Sequence, residues 1–137
     1  MAYSSDESNQ AEIYVRPFPE IDSGRWQVST EGGTSPLWSP DGKELFYRND
    51  DSVMAVKVEI EPNLGFGTPE TLFRGTYMSR SYGETFQLNM WNIHPDGKRF
   101  LMIKEATGAD TTKGTSQLEI NIIVNWFEEL KKRIPVP

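Results

Sequence analysis

His94 is the one histidine in this 137-residue chain, and imidazole is the side chain that titrates near neutrality. To act as a general base it needs a nucleophile or a second base held within hydrogen-bond reach. No spacing in the chain supplies either. There is no GxSxG, so a hydrolase serine has no support. There is no cysteine, which removes a thiolate nucleophile, a disulfide framework and a Cys-bound zinc. Glu84, Asn89 and Asn92 stand near His94 in sequence and carry the oxygens a hard cation such as calcium prefers. A strand over residues 85–92 would set Gln87, Asn89 and Trp91 on one face, with Asn92 and His94 continuing the other. The amides could hold calcium or hydrogen-bond a ligand, and Trp91 could stack on it. The simpler reading packs Trp91 between sheets and makes His94 the cap of the turn that follows it. Asp41, Asp96, Asp6, Glu7, Asp50 and Asp51 also offer oxygens, but none has the DxDxDG spacing of a calcium loop. An Asp before Gly reads as a turn residue.

The elements that must position these residues are short strands. The chain holds 4 Trp, 5 Tyr and 7 Phe beside 11 Gly and 9 Pro, a balance of β-forming aromatics and turn formers that predicts an all-β fold. Residues 12–19 (EIYVRPFP) predict a strand stopped by Pro17 and Pro19, which cannot donate to a ladder. Residues 25–30 (RWQVST) alternate with a period of two, Trp26 and Val28 against their polar neighbours, and predict a half-buried strand that Gly32-Gly33 breaks. Strands follow at 36–39, 43–48, 53–60 and 70–74, with turns at 40–42 and 49–52 and a loop over 61–69. Four short strands with polar hairpin turns make one antiparallel meander. The pattern then restarts with strands at 85–92, 98–104 and 117–125, a loose loop over 106–116, and one or two turns of amphipathic helix within 126–133.

The restart is an internal repeat. Ser39-Pro40-Asp41-Gly42-Lys43 aligns with His94-Pro95-Asp96-Gly97-Lys98, 55 residues on (positions 39 and 94). In each copy Pro sets φ at the first central position, Asp bonds the backbone that follows, and Gly takes the positive φ that closes the hairpin. Pro40, Asp41, Gly42, Pro95, Asp96 and Gly97 are therefore structural. Strand–turn–strand repeats of about 40–50 residues are typical of β-propellers, and the excess falls in loops, where insertion costs little.

In their order, AYSSDES, EIYVRPFP, GRWQVST, PLWSPDGKELFYR, ETLF, HPDGKRFLMIK and INIIVNWFEELKKR resemble the C-terminal part of bacterial TolB-like, WD-repeat-like β-propellers of the kind fused to serine/threonine protein kinases. The resemblance implies a single partial propeller of about two and a half to three four-stranded blades, in pieces near 1–31, 32–76 and 77–137. It implies three strands, then four, then three, with residues 3–5 as the second strand of a blade. No Walker or HRD-type loop is present, so no kinase activity is implied. Such propellers serve as binding platforms, and the parent family often works outside the cytoplasm.

An open fan of blades leaves apolar faces wet and strand edges unpaired, so a homo-oligomer is expected, a two-fold dimer above all. The expected function is a non-catalytic module for a protein, peptide, glycan or other small ligand, without a cofactor. The alternative is a lactonase- or esterase-like hydrolase with calcium held by Glu84, Asn89 and Asn92 and with His94 as base. A net charge of −6 repels a phosphate backbone, and Lys131-Lys132-Arg133 is too short a basic run for a groove, so nucleic acid is not an expected partner. Arg16, Arg25, Arg48 and Arg80 are scattered and read as solvated or paired. The segment Trp126-Phe127-Glu128-Glu129-Leu130 reads as a capping segment or a docking element. No apolar run approaches a membrane span, and the first residues do not have the pattern of a signal peptide. A soluble chain is expected.

Overall fold

A computed structural model describes residues 1–78, 81–82, 86–87, 90–105 and 118–124. The described residues are all strand, turn and loop, with every strand pair antiparallel. The chain divides into two compact units, Met1–Gly75 and Thr76–Pro137.

The first unit opens with a three-stranded meander of β1 (Ala2–Ser5), β2 (Glu12–Val15) and β3 (Trp26–Gln27). Pro17 cannot donate, and β2 ends before it. Only two residues of the strand expected over 25–30 join the ladder. Its alternation holds as far as Val28, which is buried; Ser29, expected to face water, is buried too. The reason is polar: Ser29 Oγ accepts the Ile13 N–H at 2.8 Å and donates to Glu12 Oε2.

The second sheet holds β4 (Thr34–Trp38), β5 (Glu44–Asn49), β6 (Ser52–Glu59), β7 (Gly65–Phe66) and β8 (Glu70–Arg74). Its main path is β4-β5-β6, and the far edge of β6 is shared by β7 and β8. Residues 61–69 are thus not wholly loop. Gly65 and Phe66 pair with Glu59 and Val58, a ladder too short to carry a sequence period. Two irregularities have local causes. The β4–β5 register slips between Thr34 and Leu37, where Pro36 lacks an N–H and Ser35 takes φ +52°. A bulge accommodates both, and β4 is a terminal strand, where Pro is tolerated. The β6–β8 register slips between Val53 and Met54, so Leu72 has no partner of its own and is buried.

The two sheets share a core of Ile13, Val15, Val28, Leu45, Tyr47, Val56 and Val58, with Trp38, Met54 and Phe66 packed against it. Each fully buried aliphatic side chain there contributes about 1.5–3 kcal/mol. Burial pushes the Tyr47 hydroxyl up to about 12, with the Glu12 and Glu31 charges adding to the effect. The opposite face of the second sheet is buried at its centre. By register it carries Leu37, Phe46, Val53, Ala55 and Phe73, with the buried Arg48 opposite Val53 and the Glu44/Lys57 pair at one end. Phe46 and Val53 are completely buried.

Close approach fixes the link between the sheets. Gly32 has φ +98°, and a Cβ on Gly33 would lie 2.7 Å from both Ile13 Cγ1 and Ser29 Oγ. Neither neighbour has room to yield, because Ile13 is fully buried and Ser29 is fixed by two hydrogen bonds. Gly33→Ala is therefore expected to destabilise the chain by roughly 1–3 kcal/mol, read as a lower thermal midpoint. An unchanged midpoint would mean that the link is not packed this tightly.

In the second unit, β9 (Ser81–Tyr82) pairs with β10 (Phe86–Gln87), while β11 (Trp91–Ile93), β12 (Arg99–Glu105) and β13 (Leu118–Val124) form a separate three-stranded meander. The expected loop over 106–116 and the helical turn within 126–133 lie outside the described residues.

Candidate functional site

The residues singled out for chemistry do not share one strand. Gln87 pairs with Ser81 in the β9–β10 ladder, whereas Trp91 and Asn92 belong to β11. The single strand expected over 85–92 is thereby corrected, and the cause is visible at Ile103. Extending the β11–β12 register past Trp91↔Met102 would bring Met90 opposite Ile103, but the Ile103 carbonyl accepts the Met78 N–H at 2.8 Å. Glu84 and Asn89 lie outside the described residues, as does Arg80.

Trp91 is buried and stacks on Phe100, with ring centroids 5.6 Å apart and planes at 22°. Cross-strand aromatic packing of this kind stabilises a sheet, and it leaves the indole unavailable as a platform for a ligand. Asn92 points the other way and is exposed; its Oδ1 accepts the Ile93 N–H at 2.8 Å.

The two Pro-Asp-Gly corners are the same structure built twice. Each joins the first and second strands of its sheet, β4 to β5 and β11 to β12. Gly42 N–H bonds the Ser39 carbonyl at 3.0 Å and Gly97 N–H the His94 carbonyl at 2.9 Å. The glycines take φ +70° and +69°. Asp41 Oδ1 accepts the Lys43 N–H at 3.1 Å, and Asp96 Oδ1 the Lys98 N–H at 2.9 Å. The pairs Ser39/Glu44 and His94/Arg99 close the two hairpins.

The residue before proline is where the corners differ. Ser39 is buried, donates to Asp41 Oδ1 at 2.7 Å and accepts the Glu44 N–H at 2.9 Å. His94 is half exposed; its Nδ1 lies 3.2 Å from the Asp96 N–H, and Arg99 Nη2 stands 3.0 and 2.9 Å from its two ring nitrogens. Arg99 also donates to Asp96 Oδ2 through Nε at 2.9 Å. His94 therefore caps its own corner through Nδ1, with the Arg99 guanidinium set against the ring. The sequence reading did not single out Arg99. The signal was available: in the first corner the residue five beyond Ser39 is its hairpin partner, and Arg99 is five beyond His94.

Both aspartates titrate low. The Ser39 hydroxyl, then the Lys43 N–H, hold the Asp41 carboxyl below the usual carboxylate range. The Lys98 N–H, then Arg99 and His94, do the same for Asp96. Glu44 is displaced upward, first by burial and then by the Asp41 charge. A depressed folded value favours the native state above the unfolded value of about 3.9, and that benefit is lost as pH falls through the lower folded value. Thermal midpoints are expected to drop from pH 5 toward pH 2.5, with a shallower slope in the Asp41→Asn, Asp96→Asn double variant. Identical slopes would exclude the corners as the acid-sensitive element.

Among the described residues, no three His, Asp or Glu side chains stand together as a metal site would require. No helix among them is long and apolar enough to cross a membrane. No protein-family model matches the chain, and neither does any curated protein.

Proposed function

We propose that the chain is a non-catalytic binding and assembly module, built as part of a TolB-like β-propeller, which self-associates and offers its surface to a protein, peptide or glycan. The observation that carries this reading is the equivalence of the two Pro-Asp-Gly corners, 55 residues apart (positions 39 and 94), with matching hydrogen bonds and matching glycine φ. Repetition of one hairpin at the head of successive meanders is the organising rule of propeller blades. Two further observations support it. The first two meanders pack on one shared core. The second buries side chains on both faces, Leu45 and Val56 on one, Phe46 and Val53 on the other, as an interior layer does and a sheet with one wet side does not.

A non-catalytic role is supported by the side chains themselves. His94 is engaged by its own corner, and Trp91 is packed on Phe100. Two measurements test the proposal together. Light scattering after size exclusion is expected to give a dimer mass, and a monomer would remove the self-association. Hydrolysis of a panel of lactones and esters is expected to show no dependence on calcium. Calcium-dependent turnover abolished by His94→Ala and by Asn89→Ala would replace the binding module with a hydrolase.

A further inference from the structure

Among the described residues five large apolar side chains are exposed: Met1, Phe18, Ile21, Ile60 and Leu101. Three of these gather at one end of the first sheet, around Arg16. Met1 and Arg16 exchange backbone hydrogen bonds at 2.6 and 2.9 Å. Arg16 Nη1 donates to the Ile21 carbonyl at 3.1 Å. Phe18, two residues beyond Arg16, is 78% exposed.

The loop that presents them is tied down. Ile21 N–H bonds the Pro19 carbonyl at 2.9 Å, and Ser23 N–H bonds the Glu20 carbonyl at 3.0 Å. Arg16 is itself fixed by Tyr3, whose hydroxyl accepts from Nε at 3.0 Å. An aromatic ring held in water by an ordered loop forfeits its burial energy in the free chain. It also pays little ordering cost when a partner covers it, the combination found at interface hot spots.

The charges around the tip decide the partner. Arg16 and Asp22 form an ion pair at 3.7 Å within one copy, and the Asp22 side chain is 97% exposed, so the pair is long and solvated and its partners can be exchanged. A patch with a cation, an anion and an apolar centre is complementary to itself across a two-fold axis, since each copy offers the partner both signs. Exposed Glu20 and Asp22 beside the apolar centre work against a membrane surface, which carries negative charge. The geometry points to this end of the first sheet as the contact between two copies of the chain. Phe18 of each copy packs on the other's Phe18 and Ile21, and Asp22 reaches the second copy's Arg16.

The inference rests on the self-association proposed above, and one set of measurements separates the two. Dimer dissociation is followed by light scattering and analytical ultracentrifugation for the full chain and three variants. Phe18→Ser is expected to weaken the dimer about 30-fold or more, as for an interface hot spot. Asp22→Arg is expected to weaken it about tenfold or more by setting like charges opposite each other. Ile60→Ser, which removes an exposed apolar side chain elsewhere on the unit, is expected to change nothing. All three sites are exposed, so the circular dichroism spectrum of each variant should match that of the parent. If the parent is a monomer, both readings fall. A dimer that survives Phe18→Ser and Asp22→Arg overturns this contact and leaves self-association standing. Equal weakening by Ile60→Ser overturns it as well, and so does flotation of a monomeric chain with zwitterionic vesicles.

Discussion

Replacing Phe46 with alanine is expected to cost about 3–5 kcal/mol, a large share of the roughly 5–15 kcal/mol that holds a domain together. Phe46 lies in the middle of β5, between Leu37 and Ala55, and is completely buried. It sits on the face of the second sheet turned away from the core shared with the first. On a sheet with one wet face, this substitution would fall on the solvent side and cost little. Here it removes a benzyl group from a packed interior and leaves a cavity that flanking β-strands cannot close by moving. The thermal midpoint should fall by roughly 10–20 °C at about 3–4 °C per kcal/mol. A loss near that of a surface substitution would show that the second face is not an interior one.

The second large effect is expected at Glu12, a carboxylate buried to 2% exposure. It accepts Gln10 Nε2 at 2.7 Å and the Gly32 N–H at 3.0 Å, and Ser29 Oγ donates to its other oxygen. Glu12→Ala would leave the buried Ser29 hydroxyl and the partly buried Gly32 N–H without their acceptor. Each orphaned group costs about 1–3 kcal/mol, so a total of roughly 2–6 kcal/mol is expected for the two. Glu12→Gln keeps the shape and one acceptor oxygen but turns an amide N–H₂ toward a hydroxyl that must still find an acceptor. It should fall between the parent and the alanine variant. Chemical denaturation of the three proteins gives the ranking, and a Gln variant as stable as the parent would show that the charge contributes nothing.

These two residues mark where sequence reading succeeds and where it stops. The strands at Glu44–Asn49, Ser52–Glu59 and Glu70–Arg74 lie within one residue of where period and turn chemistry put them. The corners at 40–42 and 95–97 were legible because Pro, Asp and Gly each fix one local degree of freedom. Glu12 was not. At the head of a strand it reads like any solvated carboxylate, and what buries it comes from Ser29 and Gly32, well down the chain. β7 is two residues long, below any period. The break before Trp91 depends on a carbonyl claimed by Met78, a long-range choice that the local pattern does not contain. Phe18 is an intermediate case. Flanked by two prolines it has no donor on either side with which to extend a ladder, which was a signal that an aromatic ring would be left without a sheet to cover it.

β4 is a terminal strand of the larger sheet, and its irregular middle has a consequence for the behaviour of concentrated solutions. Fibril growth requires a continuous comb of donors and acceptors at constant spacing onto which a foreign segment can zip. Pro36 removes one tooth of that comb, and the slip between Thr34 and Leu37 shifts the remainder out of phase. A segment arriving along this strand would gain hydrogen bonds at one end only, which works against templated growth there.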